Sequence, residues 1–96
     1  MARKVIWSRD ASVDRFEVFD YWNKRLGTNT FSRKLNKLIL RAENIIAEQP
    51  FSGRKVEGRD ARAFRVKHYL IFYRVRDEIE VLRLWDSRRN PEDLKL

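Results

Sequence analysis

The chain has 96 residues and a net charge of +8, from 22 Lys and Arg against 14 Asp and Glu. With 43% hydrophobic and 38% charged residues it has the composition of one globular domain, residues 1–96, not of a disordered chain. It has no cysteine, which excludes disulfides, thiolate metal sites and a cysteine nucleophile, and no apolar run long enough for a transmembrane helix.

Arg3 to Ser8 contains Val5-Ile6-Trp7 and predicts a short strand. Ser8 or Asp10 can cap a following helix by accepting from free backbone N–H groups. That helix runs to about Leu26, with Val13, Phe16, Phe19 (or Asp20), Trp22 and Leu26 on one broad face. Gly27 tolerates positive φ and is a suitable stop. Thr28 or Asn29 can cap a second helix. In it Phe31, Leu35, Leu38, Ile39, Ala42, Ile45 and Ile46 recur at helical spacing, the clearest pattern in the chain. This helix should be roughly 30 Å long. Leu38 is expected in the core between helices and sheet, so that Leu38→Ala costs about 2–5 kcal/mol. Pro50 ends the helix. The short link between the helices implies an antiparallel hairpin. The stripe Arg33, Lys34, Lys37, Arg41 is most simply a solvated face, the other reading being a nucleic-acid contact.

Pro50 to Asp60 is expected to be a loop, flexible at Gly53 and Gly58. Three strand-like runs follow, at 61–67, 69–75 and 78–85. Arg76-Asp77 is read as a tight hairpin turn between the last two. In the first run Phe64 and Val66 alternate with Arg65 and Lys67, which makes one face wet and cationic. The middle run, Tyr69 to Tyr73, is apolar on both faces and should be central. Residues 86–90 leave the sheet, and Pro91 to Leu94 is one helical turn at most. The predicted class is α+β, in the order β-α-α-β-β-β. A helical hairpin packs on one face of a small, mostly antiparallel sheet, and the first strand pairs with one of the later three.

Each half of the chain carries +4, so the charge belongs to the folded body and points to an anionic partner. The start, Met1-Ala2-Arg3-Lys4, is basic, but Val5-Ile6-Trp7 is too short for a signal-peptide core, and a cytoplasmic protein is expected. His68 is the single histidine. It has no partner for a metal site, and a structural role is the simpler reading. There is no phosphate loop, nucleophilic triad signature or zinc motif, so no metal or cofactor is expected.

This order and its local motifs resemble the RelE/ParE superfamily of type II toxin–antitoxin toxins. Val5-Ile6-Trp7-Ser8 with Ala11 and Asp14 is similar to the superfamily's opening strand and first helix, and Tyr21-Trp22 to its aromatic pair. Gln49-Pro50 with Gly53-Arg54 is similar to its proline-to-glycine-arginine loop. Phe64-Arg65-Val66, Tyr69 to Val75 and Ile79 to Pro91 are similar to its meander and tail, the run Trp85 to Pro91 being the most distinctive. The resemblance implies a growth-inhibiting toxin neutralised by a cognate acidic, partly disordered antitoxin. RelE-like members cut messenger RNA on the ribosome, and ParE-like members poison DNA gyrase. The hairpin and the proline-glycine loop lean towards the ParE-like side.

A metal-free ribonuclease needs cations at the phosphate and a tuned acid and base. Arg65 falls where RelE-like enzymes place a phosphate-contacting arginine, and Asp86 is a candidate base. The plainer reading of Arg65 is a solvated strand residue or an antitoxin contact. Lys55, Arg59, Lys67, Arg74 and Arg83 can add positive field towards nucleic acid or another target. Trp85 is read first as core and otherwise as a stacking residue. Arg88 and Arg89 can project from the sheet end, or Asp86 can pair with one of them. The tail after Trp85 lacks the tyrosine or histidine that many RelE-like nucleases use, and Glu57 shares the limits of Asp86 as a proton donor. An inactive, antitoxin-binding member is the third reading.

Overall fold

A computed structural model describes residues 2–96; Met1, the first residue of the basic start, lies outside them. The elements are β1 (Val5–Trp7), α1 (Arg9–Leu26), α2 (Thr30–Glu48), β2 (Arg54–Lys55), β3 (Arg62–Val66), β4 (Tyr69–Val75), β5 (Ile79–Asp86) and a 3₁₀ turn, Pro91–Asp93. Between β1 and α1 it is Ser8, not Asp10, that caps. Its Oγ accepts the Ala11 N–H and donates to the Leu82 carbonyl, both at 3.0 Å, so one side chain starts the helix and ties it to β5. Gly27 ends α1 at φ +69°, donating its N–H to the Asn23 carbonyl. Asn29 precedes α2 without a side-chain cap; Thr28 Oγ1 instead accepts the Thr30 N–H at 3.3 Å.

The sheet order is β1-β5-β4-β3-β2. β1 runs parallel to β5, with Val5 opposite Ile79 and Trp7 opposite Val81; every other pairing is antiparallel. The expected β-α-α-β-β-β order therefore gains one strand, because Arg54 and Lys55 leave the loop to pair with Ala63 and Arg62. Tyr73 draws them in. Its buried hydroxyl accepts the Gly53 N–H at 2.9 Å and donates to the Pro50 carbonyl at 2.8 Å. A Cβ at Gly53 would lie 2.5 Å from that hydroxyl and 3.0 Å from the Ala63 carbonyl. Gly53→Ala is expected to cost about 1–3 kcal/mol in urea unfolding, and a loss below a few tenths would show that the loop gives way freely.

Two links differ from expectation. Lys67 is not a strand residue; with His68 it forms the β3–β4 turn, at φ +54°. The β4–β5 link has three residues, 76–78, closed by the Arg76 N–H on the Glu78 carbonyl. β5 also carries a bulge. Phe72 faces Arg83 while Tyr73 faces Val81, which leaves Leu82 as the extra residue.

The helices cover the face of β4 that bears Tyr69, Ile71 and Tyr73, and the core joins these to Leu35, Ile39 and Ile46 of α2 and Ala11 of α1. The apolar stripe of α2 holds, except that Ile45 is exposed and Leu38 is only half-buried against the core. The face assigned to α1 holds only in its later half, where Phe19 packs on the core and Trp22 donates to the Tyr69 hydroxyl. Val13, Phe16 and Leu26 are exposed, while Ala11 and Asp14 are buried and Val18 packs on the core. The helix lies across β5, where the small Ala11 permits close approach and Asp14 answers a strand N–H. Arg15 lies over the rings of Trp7 and Phe19 and pairs with Glu43 at 3.5 Å; Trp7 Nε1 donates to the same Glu43. These contacts tie β1 to both helices.

Candidate target-binding face

On the uncovered side of the sheet, register sets the side chains in rows. Arg65, Leu70 and Trp85 form one row, and Arg54, Ala63, Phe72 and Arg83 the next. Arg74, Glu80 and Ile6 form a third. Strands lie about 4.8 Å apart, so Arg65 and Trp85 stand about 10 Å apart across Leu70. The cations of these rows are not equally free. Arg74 donates from Nε to Glu80 at 2.7 Å, and its Nη2 lies 2.7 Å from the same carboxylate oxygen. Arg83 is engaged as well. Its Nε and Nη2 donate to Asp14 at 2.7 and 3.0 Å, and the same carboxylate accepts the Leu84 N–H at 3.0 Å. Asp14 raises the pKa of Arg83, first through this hydrogen bond. Arg65 is exposed and donates to the Lys67 carbonyl at 3.2 Å.

Trp85 is 2% exposed, so the core reading holds. The guanidinium of Arg89 lies 4.2 Å from its ring centroid and that of Arg83 at 5.6 Å. Arg89 is therefore pinned to the body by a cation–π contact. Asp86 receives the Arg88 N–H at 2.9 Å, Nε at 3.0 Å and Nη2 at 2.8 Å. The expected pair thus forms with Arg88, and it closes the first turn of the tail. The Arg88 guanidinium holds the Asp86 carboxyl below its ordinary range. A carboxyl with a lowered folded pKa stabilises the fold above its unfolded value, about 3.9, and loses that contribution as pH falls through the folded value. Wild type should therefore lose more stability than Asp86→Asn between pH 5 and the acid range; identical acid profiles would show that the pair contributes nothing to folding.

Asp86, Arg88 and Arg89 share a pocket of about 270 Å³ with Asp14, Tyr21 and Tyr69. His68 is exposed in the turn, beside Asp86, and its carbonyl accepts the Ser87 N–H at 2.8 Å. It is not a core histidine. Arg65, Lys67, Trp85, Asp86, Arg88 and Arg89 thus gather at one end of the sheet. Lys55 and Arg59 do not join them; they line a separate pocket of about 170 Å³ at the β2 edge, with Phe51 and Asp60. Glu57 is exposed in the same loop. Asp14, as the partner of Arg83, was not singled out as a site residue in the sequence, since no local spacing connects residues 69 positions apart. Arg54 is a second such residue, since the two-residue strand that holds it was expected to be loop. Among the described residues no group of three or more His, Asp or Glu side chains is placed to hold a metal ion, and no helix is long and apolar enough to cross a membrane.

No curated protein matches the sequence at a significant level. Among solved structures, the fold is similar to a chain of a chromosomal ParDE toxin–antitoxin system from P. aeruginosa, with a TM-score of 0.76 and 20% identity over 88% of this chain and 96% of that one. The family model described as the ParE toxin of the type II toxin–antitoxin system parDE matches residues 5–91. That span takes in β1, both helices, the whole sheet and the start of the tail, and the chain belongs to the ParE toxin family.

Proposed function

We propose that this toxin arrests bacterial growth in the cytoplasm by poisoning DNA gyrase and is neutralised by an acidic antitoxin. Family membership supports the toxin role. The observation that carries the choice of target is the Asp86–Arg88 clamp. A nuclease at the Arg65 end of the sheet needs a group that donates a proton at neutral pH. The carboxylate there is held ionised by three donors from Arg88. A gyrase contact needs no proton transfer from the toxin, and the pinned Arg89 and exposed Arg88 give it a preformed cationic end. The +8 charge of the chain speeds encounter with an acidic antitoxin.

One observation favours a second reading, a ribosome-dependent endoribonuclease. The β3–β4 turn puts His68 at the same end as Arg65 and Lys67. Controlled expression in a bacterial host separates the two. Gyrase poisoning predicts double-strand breaks, a DNA-damage response and intact transcripts. Transcripts cut at ribosome-spaced positions, and uncut with Arg65→Ala, would establish the nuclease instead. Expression without any effect on growth would leave an antitoxin-binding member that is not toxic.

A further inference from the structure

The pocket of about 270 Å³ between α1 and the tail holds a hydrogen-bond donor that the fold does not use. Tyr69 is 5% exposed, and its hydroxyl accepts the indole N–H of Trp22 at 2.8 Å. An indole N–H can only donate, so the phenol oxygen is the acceptor there and its own proton is directed elsewhere. Among the described residues nothing accepts that proton. A buried phenol ordinarily finds a partner for it, and a donor left unmet in a buried position is costly.

Arg88 adds a second free donor. Its Nε and Nη2 are spent on Asp86, and its Nη1 has no partner among the described residues. On α1, Glu17 and Tyr21 lie one turn apart and line the same pocket. Both are exposed, and Glu17 is in no ion pair among the described residues. The Tyr21 ring is held by a T-shaped contact with Trp22, at 5.1 Å and 84°. Val18 and Leu84 supply apolar lining.

These groups describe a ligand. It carries an oxygen acceptor for Tyr69 and Arg88, N–H donors for Glu17, and a flat face for the Tyr21 ring. It carries little charge. The carboxylates of Asp14, Glu17 and Asp86 are offset by Arg88, Arg89 and the Arg83 that pairs with Asp14, so the field favours neither cation nor anion. The cavity lies just below the range of about 300–1,000 Å³ that takes drug-sized ligands, so it suits one ring system. Guanine presents the matching edge, a carbonyl oxygen next to N–H groups that a carboxylate can accept as a pair. Adenine has no carbonyl.

We propose that this pocket binds the guanine base of a free nucleoside or nucleotide, with Glu17 on its N–H edge, Tyr69 and Arg88 on its carbonyl and Tyr21 against its ring. A nucleic-acid strand is the poorer fit, because the balanced charge of the pocket gives a run of phosphates no gain. Binding of this kind does not depend on which target the toxin acts on.

The test is titration of the whole chain with guanosine monophosphate, followed by calorimetry and by NMR of the Trp22 indole N–H. That signal should shift, since the group donates to the Tyr69 hydroxyl. Adenosine monophosphate and ribose phosphate should bind about tenfold more weakly or worse. Glu17→Gln and Tyr21→Ala, both at exposed positions, should each weaken binding about fivefold or more. The unfolding temperature of the free chain should stay unchanged in both. Tyr69→Phe should also weaken binding, but it strips Trp22 of its acceptor, so the two surface variants carry the decision. Phe16→Ala, exposed on α1 outside the pocket, should leave the Kd within about twofold. Equal binding of the two nucleotides, or an unmoved Trp22 signal at millimolar guanosine monophosphate, would overturn the proposed base. A guanine-containing oligonucleotide that binds about tenfold tighter than the mononucleotide would assign the pocket to a nucleic-acid strand and overturn the free ligand.

Discussion

Asp14→Ala is expected to destabilise the protein by about 3–5 kcal/mol, the usual loss when one partner of a buried ion pair is removed. Asp14 is 9% exposed, and its two oxygens take three hydrogen bonds. β1 pairs with β5 only from Ile79 to Val81, so beyond that point the edge of β5 has no strand to accept its N–H groups. Asp14 accepts the one from Leu84. Its removal leaves that N–H and the Arg83 guanidinium without their acceptor in a largely buried position, and an unmet buried donor costs about 1–3 kcal/mol by itself. Asp14→Asn retains an acceptor for Leu84 and should fall between wild type and Asp14→Ala. Urea unfolding of the three proteins checks the order. A loss below about 1 kcal/mol for Asp14→Ala would mean that water reaches Arg83 once the carboxylate is gone.

The same helix shows where sequence reasoning stops. In α2 the apolar period and the buried face nearly coincide, because α2 lies flat on the sheet with a broad stripe of large side chains. In α1 they do not. The apolar residues Val13 and Phe16 point outward, and the core side of the first two turns is Ala11 and Asp14. Periodicity counts apolar residues, and it has no means to see that a carboxylate is buried because a strand edge 70 residues away needs an acceptor. β3 was legible from alternation, with Arg65 on the wet face as expected, and β4 from its continuous apolar run. β2 was not, since a two-residue strand exists only through the Tyr73 hydroxyl and its hold on Gly53 and Pro50. Lys67 was misplaced for a related reason: a two-residue turn of Lys and His carries none of the Gly, Asn or Asp that ordinarily announces one. Within the candidate site, residue types were readable but pairings were not. Arg74, Arg83 and Arg65 look alike in sequence, yet Glu80 and Asp14 occupy the first two and leave Arg65 exposed.

Ile39→Ala should cost about 2–5 kcal/mol, and Leu38→Ala about half as much or less. Ile39 is fully buried, in contact with a cluster that runs from Leu35 and Ile46 to Ile71 and Tyr73, so its truncation leaves a cavity that the sheet cannot close. Leu38 was expected in that position from spacing alone. It is instead half-buried at the mouth of the α2–β3 groove, where water replaces part of what the side chain loses. The two substitutions remove similar numbers of methyl groups from adjacent residues, so their difference measures helix orientation and little else. Equal losses in urea unfolding would place both residues in the core and close the groove. The expected inequality fixes which edge of α2 faces the sheet.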